Sequence, residues 1–173
     1  MNKISCDLFF EKFVRLIDYG MVMQKARKSK SGLRGFTRLY AVQMMYRQQM
    51  ENLTVENLIY EAEHNPEVIV SEDYSVSTLD LIFLKTLISF TFQHLPEIDK
   101  LIEKYLSDKW DFSRLDPVMQ SLLRLGTCEL KFIQDAPMTV VFNEYIEIAK
   151  AFFEKKDASF ANGILNSIAK DGQ

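Results

Sequence analysis

The stretch Leu115-Asp-Pro-Val-Met-Gln-Ser-Leu-Leu-Arg-Leu-Gly-Thr-Cys-Glu-Leu130 decides the fold class. Asp116 followed by Pro117 is a helix-start signal. The carboxylate can accept from the open N–H groups of a first turn, and proline suits the first helical position, where no donor is needed. Behind the signal, Val118, Leu122, Leu125 and Cys128 recur at helical intervals, so the predicted helix has an apolar face. Arg124 sits inside Leu122-Leu123-Arg124-Leu125, and its expected role is structural pairing with a carboxylate of a neighbouring element.

The same vocabulary repeats in both directions. Upstream, Pro96 suits the first position of a helix whose face is Ile98, Leu101, Ile102, Tyr105 and Leu106. Ser77-Thr78-Leu79-Asp80 resembles a capping box, with Asp in place of Glu, and opens a helix through Ile82, Phe83, Thr86, Leu87 and Phe90. A short helix follows Thr54 and stops near Asn65-Pro66, because the residue before proline disfavours the α region. Another runs from about Leu33 to Met50, with Phe36, Leu39, Tyr40 and Gln43 or Met44 on one side. Downstream, Pro137 breaks the chain, Thr139 can cap a helix lined by Val141, Tyr145, Ile148 and Phe152, and Asp157 or Ser159 starts a last one with Phe160, Ile164, Leu165 and Ile168. Residues 5 to 18 read as an amphipathic helix carrying Phe9, Phe13 and Ile17, and Gln24 to Gly32 as a flexible basic linker. The expectation is all-α: seven or eight helices, no convincing strand, with residues 1-32 as an extension and residues 33-173 as the helical domain.

Composition narrows the function. At 173 residues the chain suits one domain with a core of ordinary size. Cys6 and Cys128, with only His64 and His94 beside them, have no metal-ligand spacing, so no metal and no cofactor is expected. Two free thiols suit a reducing compartment. The greasiest stretch, Leu79 to Phe92, holds Asp80 and Lys85 and is too short to cross a bilayer. The amino-terminal residues lack a signal-peptide pattern, so the expected location is cytoplasmic, away from the membrane. Catalysis is not expected either. Gly32-Leu33-Arg34-Gly35 lacks the spacing of a phosphate cradle, Cys128 lies on an apolar face as a structural thiol, and Glu144 and Glu147 read as a solvated helix face.

Charge is divided unevenly. Met1 to Met50 hold ten basic and three acidic residues, a balance of +7, whereas Glu51 to Gln173 carry −10, giving the overall −3. No acid falls between Tyr19 and Met50. Such a segment attracts a polyanion through phosphate contacts and counterion release. Lys28 and Lys30 lie in the basic linker, and Arg34 and Arg38, four residues apart, share a helix face, so flexible and ordered donors can converge on one phosphate track. A solubilising tail is the bland alternative. Tyr46 and Phe160 occupy positions compatible with the core.

Three blocks taken together resemble the NusB family of transcription antitermination factors. They are Arg38-Leu-Tyr-Ala-Val-Gln-Met-Met-Tyr46, Leu115 to Leu130, and Asn143-Glu-Tyr-Ile-Glu-Ile-Ala-Lys150 followed by Phe160-Ala-Asn-Gly-Ile-Leu165. The likeness covers about Leu33 to Ile168 and implies two packed small helical bundles without catalysis. It also implies binding of the boxA element of ribosomal RNA leader transcripts together with NusE, a small-subunit ribosomal protein, in an RNA polymerase antitermination complex. On this resemblance Arg34 and Arg38 match the family's RNA-contacting arginines, with Lys28 and Lys30 as compensating cations, and Phe160 matches an aromatic at the RNA-facing end of the last helix. Tyr46 matches a tyrosine near the NusE surface, and Met119 stands where an acidic NusE contact is common. The amino-terminal extension departs from the pattern and can cover the RNA surface, pack on the bundle, or mediate a homodimer. Two other readings remain: a NusB-like domain of the kind joined to ribosomal RNA cytosine methyltransferases, for which the chain leaves no room for the enzyme fold, and a protein-binding scaffold that never touches RNA.

Overall fold

Helix α5 (Pro117–Cys128) occupies the middle of the molecule. Ten of its twelve residues are buried, on all sides of the helix, which a surface helix with one apolar stripe does not do. Asp116 starts it as the sequence predicts, its carboxylate accepting the Val118 N–H at 2.9 Å. The computed structural model describes residues 30–64, 68–71, 74–76, 79–107 and 110–171. The amphipathic helix expected over residues 5 to 18, Lys28 and the linker up to residue 29 lie outside the described residues.

Around α5 stand α1 (Lys30–Glu51), α3 (Leu81–Gln93), α4 (Leu95–Tyr105), α6 (Met138–Phe152) and α7 (Lys155–Lys170), all in contact with it. The short α2 (Val55–His64) leans on α3. The first bundle is α1 to α3 and the second α4 to α7, and α5 is the seam that joins them. Gly126 makes the seam tight: a Cβ there would lie 3.0 Å from Leu165 Cδ2 and 3.4 Å from Tyr145 Cγ. Absence of a side chain lets α6 and α7 close on α5.

Several element boundaries differ from expectation, each for a local reason. Asp80 caps α3, accepting the Phe83 N–H at 3.0 Å, so the helix starts three residues later than a cap at Ser77 would place it. Pro137, not Thr139, precedes α6 as its cap residue, and α7 opens at Lys155 ahead of Asp157. Helix α1 begins at Lys30 and takes in Gly32, which the linker reading left outside. A small antiparallel hairpin, β1 (Val68–Ser71) with β2 (Tyr74–Val76), pairs Val68 with Val76 and Ile69 with Ser75. Its strands are too short to leave a legible alternation. The helical core is otherwise as read.

The end of α5 has no counterpart in the sequence reading. Residues Glu129–Ile133 widen into a π turn, in which the Gln134 N–H donates to the Glu129 carbonyl at 3.0 Å. Gln134 then takes a left-handed conformation, φ 52°, that stops the helix. Glu129, at the junction of α5 and the turn, is buried. Among the described residues no helix is long and apolar enough to cross a membrane, and no cluster of metal-ligating side chains occurs.

Candidate nucleic-acid interface

The two arginines on the first turns of α1 have opposite environments. Arg38 is 2% exposed. Its Nε and Nη2 donate to the two carboxylate oxygens of Glu129 at 2.9 and 2.5 Å, a bidentate pair, and Tyr145 donates its hydroxyl to Glu129 Oε2 at 3.1 Å. Burial by itself would lower the guanidinium pKa, but the hydrogen bond and charge of Glu129 outweigh it and raise the value. Burial also pushes the Tyr145 hydroxyl well up, assisted by Glu129. Glu129 stands where α5 passes into the π turn, still in α-helical conformation. Arg38 therefore does not offer its donors to a nucleic acid, and its expected RNA contact is corrected to an internal ion pair.

Arg34, one turn earlier, sits at the rim with 21% of its side chain exposed. Its Nε donates to Asp80 Oδ2 at 3.3 Å and its Nη2 to Asp135 Oδ2 at 2.8 Å. The guanidinium carbon lies 4.7 Å from the Phe83 ring centroid, and that of Arg38 lies 5.1 Å from the same ring. Phe83 thus serves both cations as a π surface. Lys30 opens α1 beside this end.

Pairing extends to Arg47, which reaches Glu51 at 3.1 Å and Glu61 at 2.7 Å. Every arginine from Met1 to Met50 that the structure describes is therefore neutralised by acids, all of them from the stretch Glu51 to Gln173. Arg124 pairs with Asp99 through two bonds of 2.8 Å, the structural role expected of it. Glu144 departs from expectation. Its Oε2 is buried without a hydrogen-bond partner and lies 3.8 Å from Arg38 Nη1, so Glu144 belongs to the buried cluster and not to a solvated face. Burial raises its carboxyl pKa, with Arg38 opposing and Glu129 and Glu147 adding to the rise. Glu147 does face solvent and pairs with Lys150 at 2.6 Å.

The remaining expected contacts lie elsewhere. Phe160 is half-buried on α7 and meets the exposed Trp110 at a ring separation of 5.4 Å. It does not share a cluster with Arg34. Lys155 and Lys156, in the first turn of the same helix, are exposed and form no ion pair among the described residues. Lys155 borders an open groove between α6 and α7 that Lys150, Phe153, Ser159 and Asn162 also line. Glu154 and Asp157 flank both lysines and mask them in a charge count.

Tyr46 and Met119 are 5% and 4% exposed, on α1 and α5 respectively. Burial raises the Tyr46 hydroxyl pKa, and Asp116 adds to the rise. Both residues pack the core and leave little side-chain surface for a partner such as NusE. Cys128 is fully buried and free; burial pushes its thiol up to about 11, against a hydrogen bond with Thr91, and leaves it an inert structural thiol.

Comparison with known proteins agrees with this architecture. The model of the NusB family matches residues 36–170. The transcription antitermination protein NusB of Sphingopyxis alaskensis is 37% identical over 149 residues, covering 86% of this chain and 97% of that protein. The Caulobacter vibrioides protein of the same name is also 37% identical, over 81% of this chain and 94% of its own. Among solved structures, NusB of T. maritima superposes with a TM-score of 0.65 at 32% identity, covering 80% of this chain and 91% of that one. A structure of antitermination factors NusB and NusE in complex with double-stranded RNA gives 0.64 at 29% identity, covering 80% and 96%.

Proposed function

Because the chain belongs to the NusB family, we propose that it acts as a transcription antitermination factor, binding the boxA element of ribosomal RNA leader transcripts together with the ribosomal protein NusE. The observation that carries this reading is the likeness, over four fifths of the chain, to a NusB solved with NusE and RNA. The factor then works without catalysis of its own. It holds a transcript segment and a protein partner so that RNA polymerase keeps transcribing.

On this chain Arg34 is the ordered cation of the RNA surface. Lys28 and Lys30 supply further cations from the adjoining basic segment, and Phe160 offers a ring for base stacking from α7. Arg38 supports the surface from below by tying α1 to the end of α5. Filter binding of a boxA-like RNA, with and without NusE and across a salt series, tests the proposal. Affinity should rise with NusE and fall with salt, and Arg34→Ala should weaken binding and flatten the log–log salt slope. A chain that binds NusE yet shows no RNA affinity in either condition belongs to the protein-scaffold alternative instead.

A further inference from the structure

Arg34 is held as if for an anion, and an anion is already there. Two of its contacts fix the guanidinium plane: the Phe83 ring beneath it at 4.7 Å and the Asp80 carboxylate on Nε at 3.3 Å. Asp80 is itself anchored. Its carboxylate accepts the Phe83 N–H at 3.0 Å, and its own N–H donates to Thr37 Oγ1, also at 3.0 Å. With only 18% of its side chain exposed, Asp80 is part of the scaffold.

The third contact differs in kind. Asp135 follows the π turn, has 58% of its side chain exposed, and places Oδ2 2.8 Å from Nη2 of Arg34. Among the described residues Arg34 is its partner. A carboxylate oxygen and a phosphate oxygen meet a guanidinium N–H with the same geometry and charge. An exposed ion pair is weak and easily exchanged, in contrast with the shielded contact to Asp80.

We propose that Asp135 occupies the position on Arg34 that an RNA phosphate takes, so that RNA binds by exchanging carboxylate for phosphate and Asp135 sets the affinity. The inference rests on the reading of Arg34 as an RNA contact and adds a positioning residue that opposes it. Exchange also affects ion release. The freed carboxylate gathers a cation as the phosphate sheds one, so the intact pair makes the salt dependence shallower than a free arginine would.

The experiment uses the full chain with NusE and a boxA-like RNA oligonucleotide, comparing the parent, Asp135→Asn, Arg34→Ala and the double variant across a salt series. Asp135→Asn should bind about two- to fivefold tighter, the amount by which an exposed pair holds its partner, and with a steeper slope. Asp135→Glu, which keeps the charge, should restore the parent's slope. Combined with Arg34→Ala, Asp135→Asn should bring no gain. An equal gain in that background would mean Asp135 acts only as a distant charge, and the proposal fails; unchanged affinity in Asp135→Asn alone overturns it as well. If Arg34→Ala binds RNA like the parent, the assignment of Arg34 to the RNA surface is what has failed, and the exchange falls with it. Matching thermal midpoints for the Asp135 variants exclude a folding effect.

Discussion

Arg34 and Arg38 stand one helical turn apart on α1 and are indistinguishable by residue type, yet the fold uses them oppositely. Arg38 is almost completely enclosed and bound through two donors to Glu129, whereas Arg34 keeps a fifth of its side chain in solvent and shares its donors between two aspartates. The difference comes from depth and from what the opposite element delivers. The end of α5 holds Glu129 in the interior against Arg38, while the loop behind the π turn leaves Asp135 at the surface against Arg34. A basic stretch of sequence thus becomes a row of positions, some spent on cohesion and one at the rim available for exchange. Sign of charge alone cannot tell these apart.

The largest effect expected from this contrast is on stability. Arg38→Ala leaves Glu129 buried without its counter-charge, and breaking one side of a buried pair costs roughly 3–5 kcal/mol. Urea unfolding should register that loss as a lower midpoint with an unchanged slope. Replacing both partners with apolar residues, Arg38→Met with Glu129→Leu, should recover only part of it: the pair itself no longer carries an uncompensated charge, but the Tyr145 hydroxyl loses its acceptor and Glu144 its cation. A loss under about 1 kcal/mol in Arg38→Ala would place the pair in a far wetter setting than the 2% and 1% exposures of its side chains describe.

Much of the fold was legible because helix signals are local. Asp116-Pro117 and the short helix after Thr54 stand where the sequence places them, Pro96 falls at the second position of α4 because the helix opens at Leu95, and the apolar faces of α5, α6 and α7 are the buried ones. Ambiguities arose where two capping residues lay close together. The box reading takes Ser77 as the cap and Asp80 as its fourth residue, whereas Asp80 itself caps α3 and also meets Thr37 and Arg34 across the bundle. The π turn was hidden, because nothing in Glu129-Leu130-Lys131-Phe132-Ile133 distinguishes it from a continued α-helix. The same concealment upset the site. Arg38 looked like a free donor only because its partner lies 91 residues away, and Glu144 looked solvated because helical spacing does not reveal which neighbour covers a carboxylate. Tyr46 and Met119 stand on a partner surface only through the resemblance, while the periodicity of α1 already makes the Tyr46 position compatible with the core.

The rim arginine should matter much less for folding. Arg34→Ala removes a half-exposed pair with Asp80 and Asp135 and a contact with the Phe83 ring, interactions worth about 1 kcal/mol together at such exposure. The same urea series measures it, and high salt should shrink the difference because the Asp135 side is screened. A loss matching that of Arg38→Ala would erase the distinction between the two turns and make Arg34 a structural residue.

Glu144 provides the finest test of how the buried cluster is balanced, because one guanidinium there faces two carboxylates. Glu129 takes both strong hydrogen bonds, and Glu144 is left at 3.8 Å with an unpartnered oxygen. Its carboxyl pKa is raised chiefly by burial, so the folded chain holds that proton more tightly than the unfolded one does. Stability linked to Glu144 must then fall as pH rises from the ordinary glutamate value, about 4.3, toward the higher folded value. Asp111 and Asp171 titrate with the opposite sign, their pKa values lowered by hydrogen bonds to Ser113 and Lys104, so the parent's pH profile alone mixes both effects. Comparison with Glu144→Gln isolates one group. The amide keeps the shape and an acceptor for Arg38 but cannot ionise, so the variant should gain on the parent as pH rises from 4 to 8, the smallest shift of the three. If the parent gains instead, attraction to Arg38 outweighs burial at Glu144, and the guanidinium is shared between two carboxylates rather than committed to one.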